Sequence, residues 1–337
     1  MKTWQISRFG LDALTLVARP EPQPGPGEVL VRWHAWSLNY RDLAILQGTY
    51  LPGLPMPFTP LSDASGEIVA VGDGVTAWKR GDGVISHYVQ SWQEGPATPE
   101  NTRLALGGPL PGTLSEFGIL PEHGLLPLPA HLSFAEGATL PIAALTAWSA
   151  LFNAGDLRPG ATVVLEGTGG VSLFGLQLAH AAGLRTIITS GSDEKLGRAR
   201  TMGAAATLNY RSTPDWGRRV RELTEGRGAD FVLDVGGPAT IGEALQAVRM
   251  GGRIAFVGFL GGTTLNLDAL ALIRSGATVH SLRVGSRTDF RRLLCSLELA
   301  RLHPPIDRVF SFAEVPAAFA HLQQAAHFGK IVIQAEN

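Results

Sequence analysis

The chain has 337 residues, which is enough for two domains with sizeable cores. Hydrophobic residues make up 45% and charged residues 17%, the formal net charge is -1, and no long block of Lys or Arg occurs, so neither nucleic acid nor a membrane is expected as a partner. The single cysteine, Cys295, excludes an intrachain disulfide and is consistent with a reducing, cytoplasmic compartment. The polar N-terminus is unlike a signal peptide, and no apolar run has the length of about 18 residues that a transmembrane helix needs.

The first third of the chain predicts a small, irregular β-barrel. Residues 28–33 alternate between apolar and polar side chains as a half-buried strand does, and residues 67–71 form a second β-like run. Turn signals of the type Gly-Asp-Gly follow at residues 72–74 and 81–83. Closely spaced strands with such turns are typical of a barrel.

The pattern changes near Phe134, where an Ala- and Leu-rich stretch at 135–152 predicts a helix. Short apolar strands then alternate with amphipathic helices, which indicates βαβ units and a doubly wound parallel sheet of the Rossmann type. The predicted strands are 162–165, 186–189, 231–235, 254–257 and 279–284, and the predicted helices are 173–182, 194–202 and 241–248. We therefore expect a dinucleotide-binding domain at 128–284 and a β-rich catalytic domain at 1–127 that residues 285–337 complete, with 331–333 returning to it.

A glycine-rich turn links the first of these strands to its helix. Residues 167–172 fit the frame G-x-G-x-x-G, except that Ser172 replaces the third glycine. The turn follows a strand and opens a helix, which is the context that the dinucleotide-binding motif requires. Its backbone and the helix N-terminus are suited to a pyrophosphate, although a turn that only packs the helix on the sheet has the same pattern. The candidate cofactor-binding residues are Gly167, Thr168, Gly169, Gly170 and Val171.

Residues 37–42 (SLNYRD) and the glycine turn together resemble the medium-chain dehydrogenase/reductase superfamily, in its zinc-independent quinone oxidoreductase-like and alcohol dehydrogenase-like branch. The resemblance implies a Rossmann domain beside a GroES-like β-barrel, and a homodimer. Zinc-dependent members place a metal-binding Cys at the position of Asn39, a His at Ser62 and a third ligand near Ile142, and their structural zinc needs four cysteines. This chain lacks all of these ligands, so we predict no metal site and hydride transfer without a metal.

The end of the second predicted strand of the Rossmann domain bears on the choice of cofactor. NAD-specific folds usually carry an acid there, whereas this chain has Ser190, Gly191 and Ser192. The resemblance implies that Lys195 and Tyr210 bind the 2′-phosphate, and thus that the cofactor is NADP(H). The alternative is that Lys195 is a solvated helix residue and that Tyr210 only packs.

The resemblance also implies the catalytic residues. It places Asn39 and Thr146 beside the nicotinamide and Tyr50 towards the substrate. An amide can orient a carbonyl or a ribose hydroxyl, and a Tyr hydroxyl (Tyr50 or Tyr40) can donate to negative charge that develops on oxygen. Asp42 is expected to hold the loop, and the active site is expected in the cleft between the two domains.

These features favour NADPH-dependent reduction of a small-molecule quinone or α,β-unsaturated carbonyl, because a conjugated acceptor delocalises the added charge without a Lewis acid. Two alternatives stay open. One is a zinc-free alcohol dehydrogenase or acyl-thioester enoyl reductase on the same fold. The other is a non-catalytic NADPH-binding protein.

Overall fold

A computed structural model describes residues 1–336 and divides the chain into two compact units. The first unit comprises Met1–Leu145 and Gly285–Asn337, of which Asn337 lies outside the described residues, and the second comprises Thr146–Val284. The second boundary coincides with the predicted one. The first lies after Leu145 and not after residue 127, because residues 128–145 are hydrogen-bonded to the barrel: the Ile142 N–H donates to Asp63 Oδ2 (3.1 Å).

The secondary structure is as follows. The strands are β1 (Lys2–Ile6), β2 (Leu14–Ala18), β3 (Glu28–Ser37), β4 (Asp63–Val71), β5 (Gly83–Ser86), β6 (Phe117–Pro121), β7 (Leu125–Pro127), β8 (Thr162–Leu165), β9 (Arg185–Ser190), β10 (Ala206–Asn209), β11 (Ala229–Asp234), β12 (Val248–Phe256), β13 (Thr278–Ser281), β14 (Ile306–Ser311) and β15 (Lys330–Gln334). The α-helices are α1 (Tyr40–Leu46), α2 (Phe134–Gly137), α3 (Leu145–Trp148), α4 (Gly170–Ala181), α5 (Asp193–Thr201), α6 (Trp216–Leu223), α7 (Ile241–Ala247), α8 (Ala269–Ser275), α9 (Arg287–Ala300) and α10 (Val315–Gln323). Wider π-type turns at Leu140–Ala144 and Ser149–Ala154 flank α3, so the predicted helical stretch at 135–152 is confirmed in outline.

The first unit is built around the long strand β3. Its sheet runs in the order β14-β15-β3-β4-β5-β7, with β6 paired to β3, while β1 and β2 form a separate pair. All pairings of β3 are antiparallel, and its Trp33 and Trp36 are fully buried in the core. The predicted return of the C-terminal strand is confirmed, because Val332 of β15 pairs with Ser37 at the end of β3.

The second unit is a six-stranded, wholly parallel sheet in the order β10-β9-β8-β11-β12-β13. From β8, successive strands are added first on one side (β9, β10) and then on the other (β11, β12, β13), so the strand order reverses between β8 and β11. Ligands of such sheets bind at this point, outside the carboxyl ends of the strands. The Rossmann prediction is confirmed. Helix α6 was not predicted, because of its eight residues only Trp216, Gly217 and Val220 are buried and the rest are largely charged. Within residues 1–336, no helix is long and apolar enough to cross a membrane.

Candidate functional site

The glycine turn in the second unit is open to a ligand. Gly167 follows β8 with φ +73°, which glycine tolerates and β-branched or bulky residues do not. A Cβ added at Gly167 or at Gly169 would meet no atom within 4 Å, so neither glycine is required by packing inside the unit. Gly169 is the N-cap of the 12-residue helix α4 and has no side-chain cap, so the first N–H groups of the helix are available to an anion. The residues therefore fit a dinucleotide pyrophosphate.

Ser172 is the last residue of the same turn and lies in the first turn of α4. Its buried hydroxyl donates to the carbonyl oxygen of Glu166, the residue between β8 and Gly167. The small side chain thus keeps α4 close to the strand, which is the packing role of the third glycine in the usual motif.

A buried pair of carboxyl groups supports the turn from the neighbouring strand. Glu166 Oε2 accepts from the Gly236 N–H (3.3 Å), and Asp234 Oδ1 accepts from the Gly237 N–H (2.6 Å) and the Thr240 hydroxyl (2.9 Å). Burial and the nearby charge of Asp234 raise the pKa of Glu166 well above its usual range. The pair joins the ends of β8 and β11, and sequence reasoning missed it because the two acids are far apart in the chain.

The end of β9 gathers the residues predicted to select the cofactor. Ser190 Oγ accepts from the Ser192 N–H (3.3 Å), and Ser192 Oγ accepts from the Lys195 N–H (3.4 Å), which caps α5. A Cβ added at Gly191 would lie 2.8 Å from both the Tyr210 hydroxyl and Arg211 Nε. Tyr210 and Arg211 therefore lie over this turn, and Arg211, which sequence reasoning missed, adds a cation there. The acid nearest in sequence, Asp193, accepts from Asn209 Nδ2 (2.8 Å).

In the first unit, Asn39 lies at the junction of β3 and α1. Its N–H donates to Asp42 Oδ2 (2.8 Å), so Asp42 holds the loop, as predicted. Burial raises the pKa of Asp42 to about 6, although the positive charge of Arg41 opposes this shift. Asp42 is fully buried, which fits a structural role.

Arg41 connects this loop to two tyrosines. Its buried guanidinium donates to the carbonyl oxygen of Gly107 (3.0 Å) and lies over the rings of Tyr50 and Tyr88, at 5.8 and 5.0 Å from their centroids. Tyr50 is 41% exposed, so a ligand can reach it. Burial raises the pKa of the Tyr88 hydroxyl, against the attraction of Arg41. Neither Arg41 nor Tyr88 was predicted as a site residue.

The residue with the closest contact to the Asn39 side chain is Lys330, at the start of β15. Its Nζ donates to Asn39 Oδ1 (2.7 Å) and to the carbonyl oxygen of Leu38 (2.5 Å), and only 3% of the residue is exposed. Gly329 makes this placement possible. It has φ +89°, and a Cβ there would lie 2.2 Å from the carbonyl oxygen of Pro305. A contact across 291 residues leaves no local signal in the sequence.

Asp63, the first residue of β4, lies near Asn39 and Lys330, and these three residues are called the Asn39 cluster below. Its Oδ1 accepts from the Ser62 hydroxyl (2.7 Å), and its Oδ2 accepts from the Ile142 N–H. Burial raises the pKa of Asp63, whereas the Lys330 ammonium and the Asn39 amide oppose that rise. The three positions at which the resemblance places zinc ligands, Asn39, Ser62 and Ile142, thus surround a carboxylate. Burial in turn lowers the pKa of Lys330, while Asp63 and Asp42 act against this change.

Thr146 is buried in α3, at the start of the second unit, whereas Asn39 and Tyr50 belong to the first. Within residues 1–336, no three or more His, Cys, Asp or Glu side chains are grouped so that they could hold a metal ion.

Comparison with known proteins places this geometry in a family. Residues 25–130 match the alcohol dehydrogenase GroES-like domain, and residues 170–298 match the zinc-binding dehydrogenase domain. A zinc-type alcohol dehydrogenase-like protein of Schizosaccharomyces pombe is 40% identical over 96% of both chains. The chain belongs to the medium-chain dehydrogenase/reductase superfamily. It is an oxidoreductase, and its second unit is a nicotinamide dinucleotide-binding domain.

Other members of the superfamily differ in their described activity. The quinone oxidoreductase of Rattus norvegicus is 29% identical over 93% of this chain and 90% of its own. A solved NAD-dependent alcohol dehydrogenase is 33% identical over the whole of both chains, with a TM-score of 0.92. A mycobacterial protein solved in complex with NADPH is 25% identical over 99% of both chains, with a TM-score of 0.84. The matched zinc-binding dehydrogenase segment contains none of the positions Asn39, Ser62 and Ile142.

Proposed function

We propose that this protein is a zinc-independent, NADP(H)-dependent reductase of quinones or α,β-unsaturated carbonyl compounds. The observation that carries the proposal is the cluster of Asn39, Asp63 and Lys330, because Asp63 and Lys330 hold the groups at the positions of the zinc ligands in hydrogen bonds. The quinone oxidoreductase among the relatives supports the choice of substrate class.

The donor set of this cluster does not fit a catalytic zinc ion. Ser62 donates its hydroxyl proton to Asp63, Ile142 contributes only its N–H, and Asn39 Oδ1 is bound to an ammonium. A zinc site needs three protein ligands with free lone pairs on sulfur, nitrogen or oxygen. The positive charge of Lys330 would also repel a divalent cation at this place.

Preference for NADP(H) is supported by the residues at the end of β9. Lys195 lies in the first turn of α5, and Arg211 and Tyr210 lie over Gly191, so cationic and hydroxyl groups are near the strand end at which folds of this type bind a 2′-phosphate. Arginine and lysine form charge-assisted hydrogen bonds with phosphate. The NADPH complex of a relative agrees with this choice, whereas another relative is NAD-dependent, so the preference must be measured.

The reaction then needs positioning and polarisation from the chain. A bound nicotinamide supplies the hydride. The glycine turn, Gly167 to Val171, holds the pyrophosphate, and Asn39 Nδ2 donates a hydrogen bond to the substrate carbonyl oxygen as negative charge develops there. Tyr50, held over Arg41 and partly exposed, donates a proton or a hydrogen bond to the same oxygen. We place Thr146 beside the nicotinamide, as the resemblance implies.

The test is a substrate panel run with the purified protein and either NADPH or NADH. A quinone, an enone, an enoyl thioester and a saturated aldehyde are compared in the reducing direction, and a primary and a secondary alcohol in the oxidising direction. We expect the quinone or the enone with NADPH to give the highest kcat/KM. Preferential oxidation of alcohols, or tight NADPH binding with no turnover of any acceptor, would contradict the proposal.

We also propose that two copies of the chain associate through the edge of the six-stranded sheet. Strand β13 ends that sheet, and exposed apolar side chains lie on the neighbouring α8, where Leu270 is 60% and Ile273 is 73% exposed. An unpaired strand edge beside an apolar patch is a surface that favours association. Light scattering of the wild type and of Ile273→Lys tests this, with a monomeric wild type as the contrary result.

A further inference from the structure

We propose that Lys330 is the positioning residue of the active site: its buried ammonium fixes the amide of Asn39 so that Nδ2 faces the ligand as a hydrogen-bond donor. This inference rests on the proposed function for the identity of the ligand, a carbonyl oxygen. It assigns a role to a residue that belongs to no sequence motif described above.

The first step is the identity of the atom that Lys330 contacts. An ammonium group has three donors and no acceptor, so a side-chain amide at 2.7 Å from Nζ must present its oxygen. With the opposite orientation, the N–H groups of Asn39 would face the N–H groups of Lys330. The charge on Lys330 therefore removes the ambiguity between the two ends of the amide.

The second step concerns the other end of that amide. Asn39 is 9% exposed, and within residues 1–336 its Nδ2 has no hydrogen-bond partner of ordinary geometry. The amide helps to lower the pKa of the Asp63 carboxyl as a hydrogen-bond donor does, so with Oδ1 on Lys330 the NH2 group is turned towards Asp63, outside ordinary hydrogen-bond geometry, and its second N–H is left for a ligand. An NH2 group carries two donors, and a buried donor without a partner is unfavourable. A ligand oxygen would satisfy it.

The third step is the rigidity of the arrangement. Lys330 Nζ also donates to the Leu38 carbonyl oxygen, and the Lys330 N–H donates to the Pro305 carbonyl oxygen (2.9 Å). The Ile331 carbonyl oxygen accepts from the Leu38 N–H and from the Ser37 hydroxyl (both 3.1 Å). Strand β15 and the segment before Asn39 are thus joined on both sides of the ammonium, so Lys330 holds the amide from a fixed position.

A double-mutant cycle tests the inference. Lys330→Met is made in the wild type and in Asn39→Ala, and kcat with NADPH and an enone is compared. If Lys330 acts through Asn39, Lys330→Met lowers kcat by about 10²-fold in the wild type, the typical loss of one oriented donor, and by less than about threefold in Asn39→Ala. Equal losses in both backgrounds would overturn the inference, because a general structural role does not depend on Asn39.

Two further variants keep the test informative if Lys330→Met does not fold. Lys330→Gln is equally uncharged but retains an N–H donor, so it should keep several-fold more activity than Lys330→Met. Asn39→Asp leaves Lys330 in place and keeps an oxygen for it to bind, but it removes Nδ2. The inference predicts that Asn39→Asp loses as much kcat as Asn39→Ala, and an active Asn39→Asp would overturn it.

One measurement separates this inference from the proposed function. With ¹⁵N-asparagine labelling, the side-chain amide resonance of Asn39 is assigned by its loss in Asn39→Ala and followed in Lys330→Gln, with no substrate present. A shift of this resonance, with the other asparagines unmoved, supports the Lys330 contact even if the substrate class is wrong. An unmoved Asn39 resonance contradicts the inference even if the enzyme reduces enones.

Discussion

The glycine turn of the second unit and the Asn39 cluster of the first are built in opposite ways. The turn consists of consecutive residues, 167–172, of which Gly167 and Gly169 face open space, so the turn has room for a ligand. The cluster draws Asn39, Asp63 and Lys330 from three separate segments and buries an ammonium group near the carboxyl groups of Asp63 and Asp42. The turn thus offers open backbone to a ligand, whereas the cluster is closely packed and charged.

This difference has consequences for how each region responds to change. A side chain introduced at Gly169 should affect cofactor binding and leave the fold intact, because a Cβ at this position meets no atom within 4 Å. An altered residue in the cluster should affect stability as well as turnover, because removing one member of a buried charge pair leaves its partner uncompensated. The following variants test that contrast, from the largest expected effect to the smallest.

Lys330→Met should destabilise the protein by about 3–5 kcal/mol, because the buried Asp63 loses its main counter-charge, whereas Asp42 keeps that of Arg41. Denaturant unfolding measures the loss, with the exposed Lys79→Met as control, for which a change within about 0.5 kcal/mol is expected. A loss below about 1 kcal/mol for Lys330→Met would show that the cluster is not held by this charge.

The same loss should depend on pH. The folded-state pKa of Asp42, about 6, lies above its ordinary value of 3.8, so its contribution to stability is present at low pH and is lost as the pH rises from about 4 to about 6. Without Lys330, Asp42 and Asp63 should keep their protons to still higher pH. The deficit of Lys330→Met relative to wild type is therefore expected to be smaller at pH 5 than at pH 8, and a deficit that shrinks as the pH rises would contradict the charge argument.

Gly169→Asp should weaken NADPH binding by about 10²-fold or more, because it places a carboxylate where the pyrophosphate approaches the backbone. Stability should change little, since a Cβ at this position meets no atom within 4 Å. Titration of nicotinamide fluorescence measures the affinity. Gly53→Asp, the same change at an exposed and equally open glycine of the first unit, is the control and should bind NADPH normally.

Lys195→Ala and Arg211→Ala should each weaken NADPH binding by about tenfold and leave NADH binding nearly unchanged, because a charge-assisted hydrogen bond contributes about 1.5–3 kcal/mol before screening. The affinities of both cofactors for both variants are compared with those of wild type. Equal losses of affinity for NADPH and NADH would mean that the residue supports the turn and does not bind the 2′-phosphate.

Tyr50→Phe should lower kcat with an enone several-fold without changing the affinity for NADPH, because it removes only the hydroxyl that we propose to donate to the substrate oxygen. Tyr40→Phe is the comparison. Tyr40 follows Asn39 in the sequence and is, besides Tyr50, the exposed tyrosine of the described part of the first unit. Full activity of Tyr50→Phe combined with a loss in Tyr40→Phe would transfer the role to Tyr40.

The contrast between the two regions also explains what the sequence could predict. Strand β8 is predicted with its observed bounds and the glycine turn is recognised, because both depend on a few consecutive residues. The buried pairing of Lys330 with Asn39 depends on the register of β15 against β3, and a single sequence holds no information about that register. Arg211 and Arg41 are close to predicted site residues in the sequence, but the positions of their side chains near Gly191 and over Tyr50 and Tyr88 follow from the fold. The roles of Thr146 and Tyr50, and a cleft between the two domains as the active site, stay predictions.

The central claim is that this enzyme reduces conjugated carbonyls with NADPH and without zinc. Its most direct test is the rate of NADPH oxidation by a quinone or an enone with protein treated with a chelator, before and after zinc is added back. The account predicts the same turnover in both samples. It also predicts less than about 0.1 zinc per chain in the purified protein before chelation, since a zinc site would retain its metal through mild dialysis. Activity that is lost on chelation and restored by stoichiometric zinc would contradict it.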